Sequence, residues 1–468
     1  MKKNEERVGF VDALGMNGEG IIKDKDGTVF VPFCITGEKI KYKILKANSK
    51  QAFGKVQEIL APADERIRSK CPVFTKCGGC QLQHIKYPNQ LKLKENNVAV
   101  CFSKIANLNV KVQPTIKGNE EFRYRNKLQL PVGQVGDKTV IGFYAENSHR
   151  IVEIDDCLIN AVWTADIISA SKKYFSITKE KGYDEITHTG DVREITAKEI
   201  KGNLIITVVT LSGKLNNEKL LIDILKEKVK YPFSLFINTN SNKTNVIYGN
   251  EFRKIYGVNE YRAEMFGIKY KIGVRSFMQV NTSVCSKLYS AVKEAANVDD
   301  NTIVFDAYSG AGLLTAILAV NAKKAIGVEI IKEAVDIANQ LAEINGLKDK
   351  MFNYCGKCED ILPTLIEQQE ENCKKVVVLD PPRKGCDIEV VRAVIKSNAD
   401  KIIYVSCKPS TLARDVGLIV GSLVEQEGQI VRAKEYINRY NIKSVRTYDM
   451  FAQTKHVETL VVLEKENI

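Results

Sequence analysis

The stretch Ile303-Val304-Phe305-Asp306-Ala307-Tyr308-Ser309-Gly310-Ala311-Gly312-Leu313-Leu314 reads as an apolar strand, a glycine turn and the start of a helix. Glycine lets a backbone approach a ligand closely, and a helix N-terminus favours polar or anionic groups. The turn lacks the full G-x-G-x-x-G of dinucleotide folds and carries no phosphate-loop lysine. One helix later, Ala325-Ile326-Gly327-Val328-Glu329 is a second strand, ending in an acid. An acid there can accept both hydroxyls of a ribose. From these residues alone, an NAD or sugar-nucleotide site stays open, as does a turn without a ligand.

Working outward, strands alternate with helical stretches from about Ser276 onward, the sign of a parallel α/β sheet. Two further strand ends carry chemistry. Leu379-Asp380-Pro381-Pro382-Arg383 closes one strand with a carboxylate held by a stiff, extended turn. In Tyr404 to Asp415, YVSCKPSTLARD, Cys407 follows the apolar run Lys401 to Ser406 and precedes a Pro-started helix. Ligands in such sheets bind beyond the carboxyl ends of strands. A free cysteine is usually an inert small hydrophobe; a reactive one needs surroundings that favour the thiolate.

The 468 residues suffice for two to four domains. No window approaches 18 uninterrupted apolar residues, so no membrane span is expected. The start, KKNEER after Met1, has no apolar core of a signal peptide, so the expected compartment is the cytoplasm with reduced thiols. The net charge is +12, and between Ala61 and Leu130 stand 13 Lys and Arg against 5 Asp and Glu. Localised positive charge suits a polyanion, most simply nucleic acid; a solvated basic surface is the plainer reading. Residues 7 to 60 form short β-like runs broken by turns, suggesting a small barrel. Within it, Lys39 to Ile44 alternates basic with apolar.

Of twelve cysteines, Cys71-x5-Cys77-x2-Cys80 and a distant Cys157 have spacing that suits zinc or an iron–sulfur centre. Cys355-x2-Cys358, with only Cys373 near it, lacks a fourth ligand. Cys34, Cys101, Cys285 and Cys386 read as core or surface thiols.

Together, the DAYSG turn and Asp380-Pro381-Pro382 resemble the S-adenosylmethionine-dependent methyltransferase fold. Amine methylators of that superfamily usually place an aromatic residue after the prolines; Arg383 departs from this. With SFMQVN (Ser276 to Asn281), GVEI (Gly327 to Ile330), LDPPRKG (Leu379 to Gly385), SCKPSTLARD (Ser406 to Asp415) and HVETLVVL (His456 to Leu463) in order, nearly the whole chain resembles the RNA uracil-5-methyltransferase family. That resemblance implies an α/β, Rossmann-like class I methyltransferase domain over 271–468. It implies an OB-like, RNA-binding TRAM β-barrel over 1–62. Residues 63–270 would form a mixed central domain with a 4Fe–4S cluster, part of 84–117 packing on the catalytic domain.

By the same resemblance Cys407 matches the nucleophile and Glu458 the general base. Gln279, Tyr308, Glu329 and Asp380 match the S-adenosylmethionine and target-base pocket. Cys71, Cys77, Cys80 and Cys157 match the cluster ligands, fixing a basic loop near Lys70, Lys76, Arg123, Arg125 and Lys127 against RNA. The implied partner is 23S ribosomal RNA, with no membrane and no obligate protein partner. Two other readings are an RNA cytosine-5-methyltransferase, which tends to place a cysteine where Arg383 stands, and a catalytically inactive RNA-binding assembly factor.

Overall fold

A computed structural model describes residues 1–369, 372–436 and 439–466. The chain divides into two compact units. The first comprises Met1–Gln90, Glu120–Tyr261 and Phe451–Lys455; the second comprises Leu91–Asn119, Arg262–Met450 and His456–Ile468.

In the first unit, six short strands between Glu6 and Ala61 form one sheet. Ile40, Tyr42 and Ile44 are fully buried in its core with Val29 and Val31. The period of two then turns Lys39, Lys41 and Lys43 to the other face. A seven-stranded sheet follows, and its core contains Trp163, Ile167 and Tyr174 of the helix Trp163–Thr178 and Leu221 and Leu225 of the helix Glu218–Lys228. The short Phe451–Lys455 segment is stitched in by backbone. Gln81 and Leu82 donate their N–H groups to Gln453 O at 3.2 and 3.1 Å, and Gln90 Nε2 donates to Gln453 Oε1 at 2.9 Å. Tyr124 Oη donates to Ala452 O at 3.0 Å.

The second unit is built on an eight-stranded sheet. In chain order its strands are β1 (Val112–Ile116), β2 (Thr302–Ala307), β3 (Lys324–Glu329), β4 (Met351–Cys355), β5 (Lys374–Leu379), β6 (Lys401–Ser406), β7 (Tyr440–Tyr448) and β8 (Glu458–Lys465). Their order across the sheet is β4-β3-β2-β5-β6-β8-β7-β1. The first five positions are parallel, β8 runs antiparallel to both neighbours, and β1 lies parallel to β7. Continuous apolar runs such as Ile303 to Phe305 and Val376 to Leu379 are what a parallel sheet covered on both faces demands, and those residues are buried. Strand order reverses between β2 and β5, a topological switch point, so the carboxyl ends of β2, β3, β5 and β6 face the crevice where ligands bind in such sheets. Pro114 in β1 is tolerated because β1 is an edge strand.

Candidate active site

The glycine turn follows β2. Tyr308 takes φ +65°, the left-handed region that a bulky residue rarely occupies, and its half-buried ring packs against the core. Ser309 N–H donates to Val328 O at 3.0 Å, fixing the turn on β3. Gly310 adopts φ +55°, and no heavy atom lies within 4 Å of where a Cβ would sit, so the turn is open on that side. At the end of β3, Glu329 receives Gly310 N–H at 3.0 Å on one carboxylate oxygen and Ile331 N–H at 2.9 Å on the other. The carboxylate is thereby oriented, while each oxygen keeps a lone pair for a hydroxyl donor.

Asp306, the penultimate residue of β2, is buried and accepts a 2.5 Å hydrogen bond from Thr315 Oγ1. Burial pushes its carboxyl up to about 7, against the Thr315 bond, with Asp380 and Glu329 adding repulsion. Asp380, just past β5, is also pushed up to about 7 by burial. Glu458 opens β8 and is buried; its carboxyl is raised well above the usual range by burial and by Asp380, and Arg383 opposes the shift. Tyr289 of the helix Thr282–Ala296 feels both Asp306 and Asp380.

Cys407 follows β6 directly and is half-buried. Burial raises its thiol, Glu458 and Asp380 raise it further, and Arg383 lowers it through its charge and a hydrogen bond. One thiol, two carboxyls and one guanidinium are therefore within electrostatic reach of one another at the strand ends. Gln279 lies half-buried in the irregular stretch before Asn281, which caps the helix Thr282–Ala296.

One feature not apparent from the sequence is how the Pro381–Cys386 loop is held. Asp415, fully buried in the helix Pro409–Val420, accepts from Cys386 N–H at 2.8 Å, Tyr404 Oη at 2.6 Å and Arg414 Nε at 2.6 Å. The letters ARD were visible in the sequence, but nothing marks an aspartate as the partner of a loop 29 residues earlier.

In the first unit, all four of Cys71, Cys77, Cys80 and Cys157 are free and half-buried. The Cys80 thiol is pushed up to about 12 by burial and by the other three, which places the four sulfurs within electrostatic reach of one another. N–H groups point at three sulfurs. Gly79 donates to Cys77 at 3.4 Å, the Gln83 amide to Cys80, and Ile159 and Asn160 to Cys157. Ser69 Oγ donates to Gln83 Oε1 at 2.8 Å, which leaves the amide nitrogen for sulfur. Among the described residues, no three His, Cys, Asp or Glu side chains are grouped so as to hold a single metal ion. Arg123, expected near RNA, forms a two-pronged ion pair with Asp156 at 2.9 and 2.5 Å.

Residues 86–466 match the family described as tRNA (uracil-5-)-methyltransferase. The chain belongs to the tRNA (uracil-5-)-methyltransferase family. Its relatives include an uncharacterized RNA methyltransferase of Clostridium acetobutylicum, 36% identical over 470 residues that cover 99% of this chain and 98% of the relative. Another, from Halalkalibacterium halodurans, is 35% identical over 471 residues, covering 100% and 98%. The fold is similar to the crystal structure of Pyrococcus abyssi tRNA (uracil-54, C5)-methyltransferase in complex with S-adenosyl-L-homocysteine. The TM-score is 0.73 at 22% identity, covering 98% of this chain and 100% of that one. As a member of the tRNA (uracil-5-)-methyltransferase family the chain is an RNA methyltransferase of mixed α/β fold.

Proposed function

We propose that the protein methylates carbon 5 of a uridine in 23S ribosomal RNA, with S-adenosylmethionine as methyl donor, Cys407 as nucleophile and Glu458 as base. The observation that carries this reading is the convergence of Cys407, Glu458, Asp380 and Arg383, close enough to act on one another's charge, at the ends of neighbouring strands.

The pocket fits the donor. The turn at Gly310 is open, Glu329 is oriented for ribose hydroxyls, and Asp306 and Asp380 supply carboxyls. Gln279, Tyr308, Glu329 and Asp380 would hold it. S-adenosylmethionine, when bound, supplies an electrophilic methyl group on a cationic sulfonium.

Carbon 5 of uracil is a poor nucleophile. Addition of the Cys407 sulfur to carbon 6 moves the ring electrons onto the carbonyl as an enolate and makes carbon 5 nucleophilic, so one hard step becomes two easier ones. Arg383 stabilises the thiolate that attacks. After methylation, Glu458 takes the proton from carbon 5. The electron pair returns to the 5,6 bond as the sulfur–carbon 6 bond breaks, and Cys407 is freed. A carboxylate with a raised pKa is the stronger base for this task. A uridine paired in a helix must first be flipped out.

Cys71, Cys77, Cys80 and Cys157 would bind a 4Fe–4S cluster. Four thiols within mutual reach, with N–H donors on three sulfurs, suit a thiolate-bound cluster. With every iron ligated by protein its role is structural, and the 63–270 region that carries it would present the basic loop near Lys70, Lys76, Arg123, Arg125 and Lys127 to RNA beside the TRAM-like barrel of 1–62. Ribosomal RNA is preferred because that barrel and the four cysteines resemble the ribosomal branch; the fold's likeness to a transfer-RNA enzyme favours transfer RNA as the second reading.

The test is incubation of anaerobically purified protein with labelled S-adenosylmethionine and size-fractionated RNA lacking the modification, followed by nucleoside analysis. 5-Methyluridine in 23S RNA is expected. Label in transfer RNA selects the second reading, 5-methylcytidine shows a cytosine target, and no product overturns the enzyme assignment. Cys407→Ala should abolish turnover and keep cofactor binding; Glu458→Ala should accumulate a covalent protein–RNA adduct visible on a denaturing gel.

A further inference from the structure

The loop that carries Arg383 is fastened by the helix that follows Cys407, and every fastening is a hydrogen bond to its backbone. Thr411 Oγ1 reaches Arg383 O at 3.3 Å. Arg414 Nη2 donates to Lys384 O at 3.2 Å and Cys386 O at 3.1 Å. Asp415 takes Cys386 N–H from the loop and, through its remaining acceptor sites, holds Arg414 and Tyr404 in place. Gly385 has φ +81°, and a Cβ there would lie 2.6 Å from both Arg414 Nη2 and Asp415 Oδ2, so the loop rests directly on this pair. A buried carboxylate is costly unless it is fully hydrogen-bonded. An apolar residue in its place would take this acceptor away from Cys386 N–H, Tyr404 Oη and Arg414 Nε.

We propose that Asp415, with Arg414 and Thr411, is a positioning group for catalysis: it shapes the Pro381–Cys386 loop so that the Arg383 guanidinium meets the Cys407 sulfur. The inference rests on the reading of Cys407 as nucleophile. The nucleophile and its cationic partner come from different strand ends, and the helix behind Cys407 sets the distance between them. The charged groups facing Cys407 are Arg383, Glu458 and Asp380, so loss of the guanidinium leaves two carboxyls acting on the thiol.

The experiment reads the thiol itself, apart from methylation. Full-length protein is treated with iodoacetamide across pH 6 to 10, and modification of the Cys407 peptide is followed by mass spectrometry. In Asp415→Asn and in Thr411→Val the Cys407 profile should move up by about one pH unit, which is about tenfold slower modification at neutral pH. Arg383→Met should give the same shift, and adding Asp415→Asn to it should change little more. Unchanged Cys407 profiles in folded variants overturn the proposal, as do full shifts that persist and add on the Arg383→Met background. Should Asp415→Asn fail to fold, Thr411→Val, which removes the tie at Arg383 O along with the Thr411 Oγ1 hydrogen bond to Lys408 O at 3.1 Å, decides by the same criterion, with Thr411→Ser, which keeps both, as its control. Normal profiles with slow methylation would sink the positioning role while leaving the nucleophile assignment intact.

Discussion

Cys407 is not a resting thiolate. Burial and two carboxyls hold its proton on, and one arginine works against them. The carboxyls are poised as well, since Asp306 and Asp380 both titrate near 7. A cation entering this pocket stabilises every ionised form at once. Binding of S-adenosylmethionine at pH 7 should therefore release protons to buffer, and the uncharged thioether of S-adenosylhomocysteine should release fewer. Calorimetry in two buffers of different ionisation enthalpy measures both, and equal release would contradict this account. The same groups set a pH dependence of stability. Their native pKa values lie above those of the unfolded chain, so their contribution is fully present below about pH 4 and is lost as pH rises through about 7. Unliganded protein should melt lower at pH 8 than at pH 6 on this account. Asp380→Asn should raise the melting temperature at pH 8 by about 2 °C while abolishing methylation.

Two glycines of one turn make different demands. Gly312 has φ +78°, and a Cβ there would meet Ala338 Cβ at 2.7 Å and Met351 Cε at 2.6 Å. Gly312→Ala should cost roughly 1–3 kcal/mol in a denaturant melt. Gly310→Ala meets no protein atom but shares the left-handed backbone at φ +55°, so it should cost about 1 kcal/mol in the same melt and in addition weaken cofactor binding, measured by calorimetry. The sheet was readable in the sequence because its central strands are unbroken apolar runs ending in distinctive residues, Glu329, Asp380 and Cys407. β1 was not. Val112-Gln113-Pro114-Thr115-Ile116 is polar at two positions and broken by proline, and its partner strand lies more than 300 residues away. The strand-end positions of Cys407 and Asp380 could be read locally. The loop ties made by Asp415 could not, because a carboxylate's backbone partners leave no periodicity or spacing behind.

At the scale of the whole chain, the four cysteines belong to one unit and the cofactor pocket to the other. On the proposed cluster assignment, removal of iron by a chelator should therefore weaken RNA binding yet leave the S-adenosylmethionine dissociation constant within about twofold; a collapse of cofactor affinity would show the two sites to be coupled. With a net charge of +12, RNA affinity should also fall steeply and log-linearly with salt. Phe451–Lys455 adds a consequence in time. These five residues complete the first unit, and they are made between β7 and β8 of the second. A ribosome must deliver residue 453 before Gln81, Leu82 and Gln90 find their acceptors on Gln453. The first unit therefore keeps that seam open until β1 to β7 of the second unit have been made, and its closure is tied to the synthesis of its neighbour.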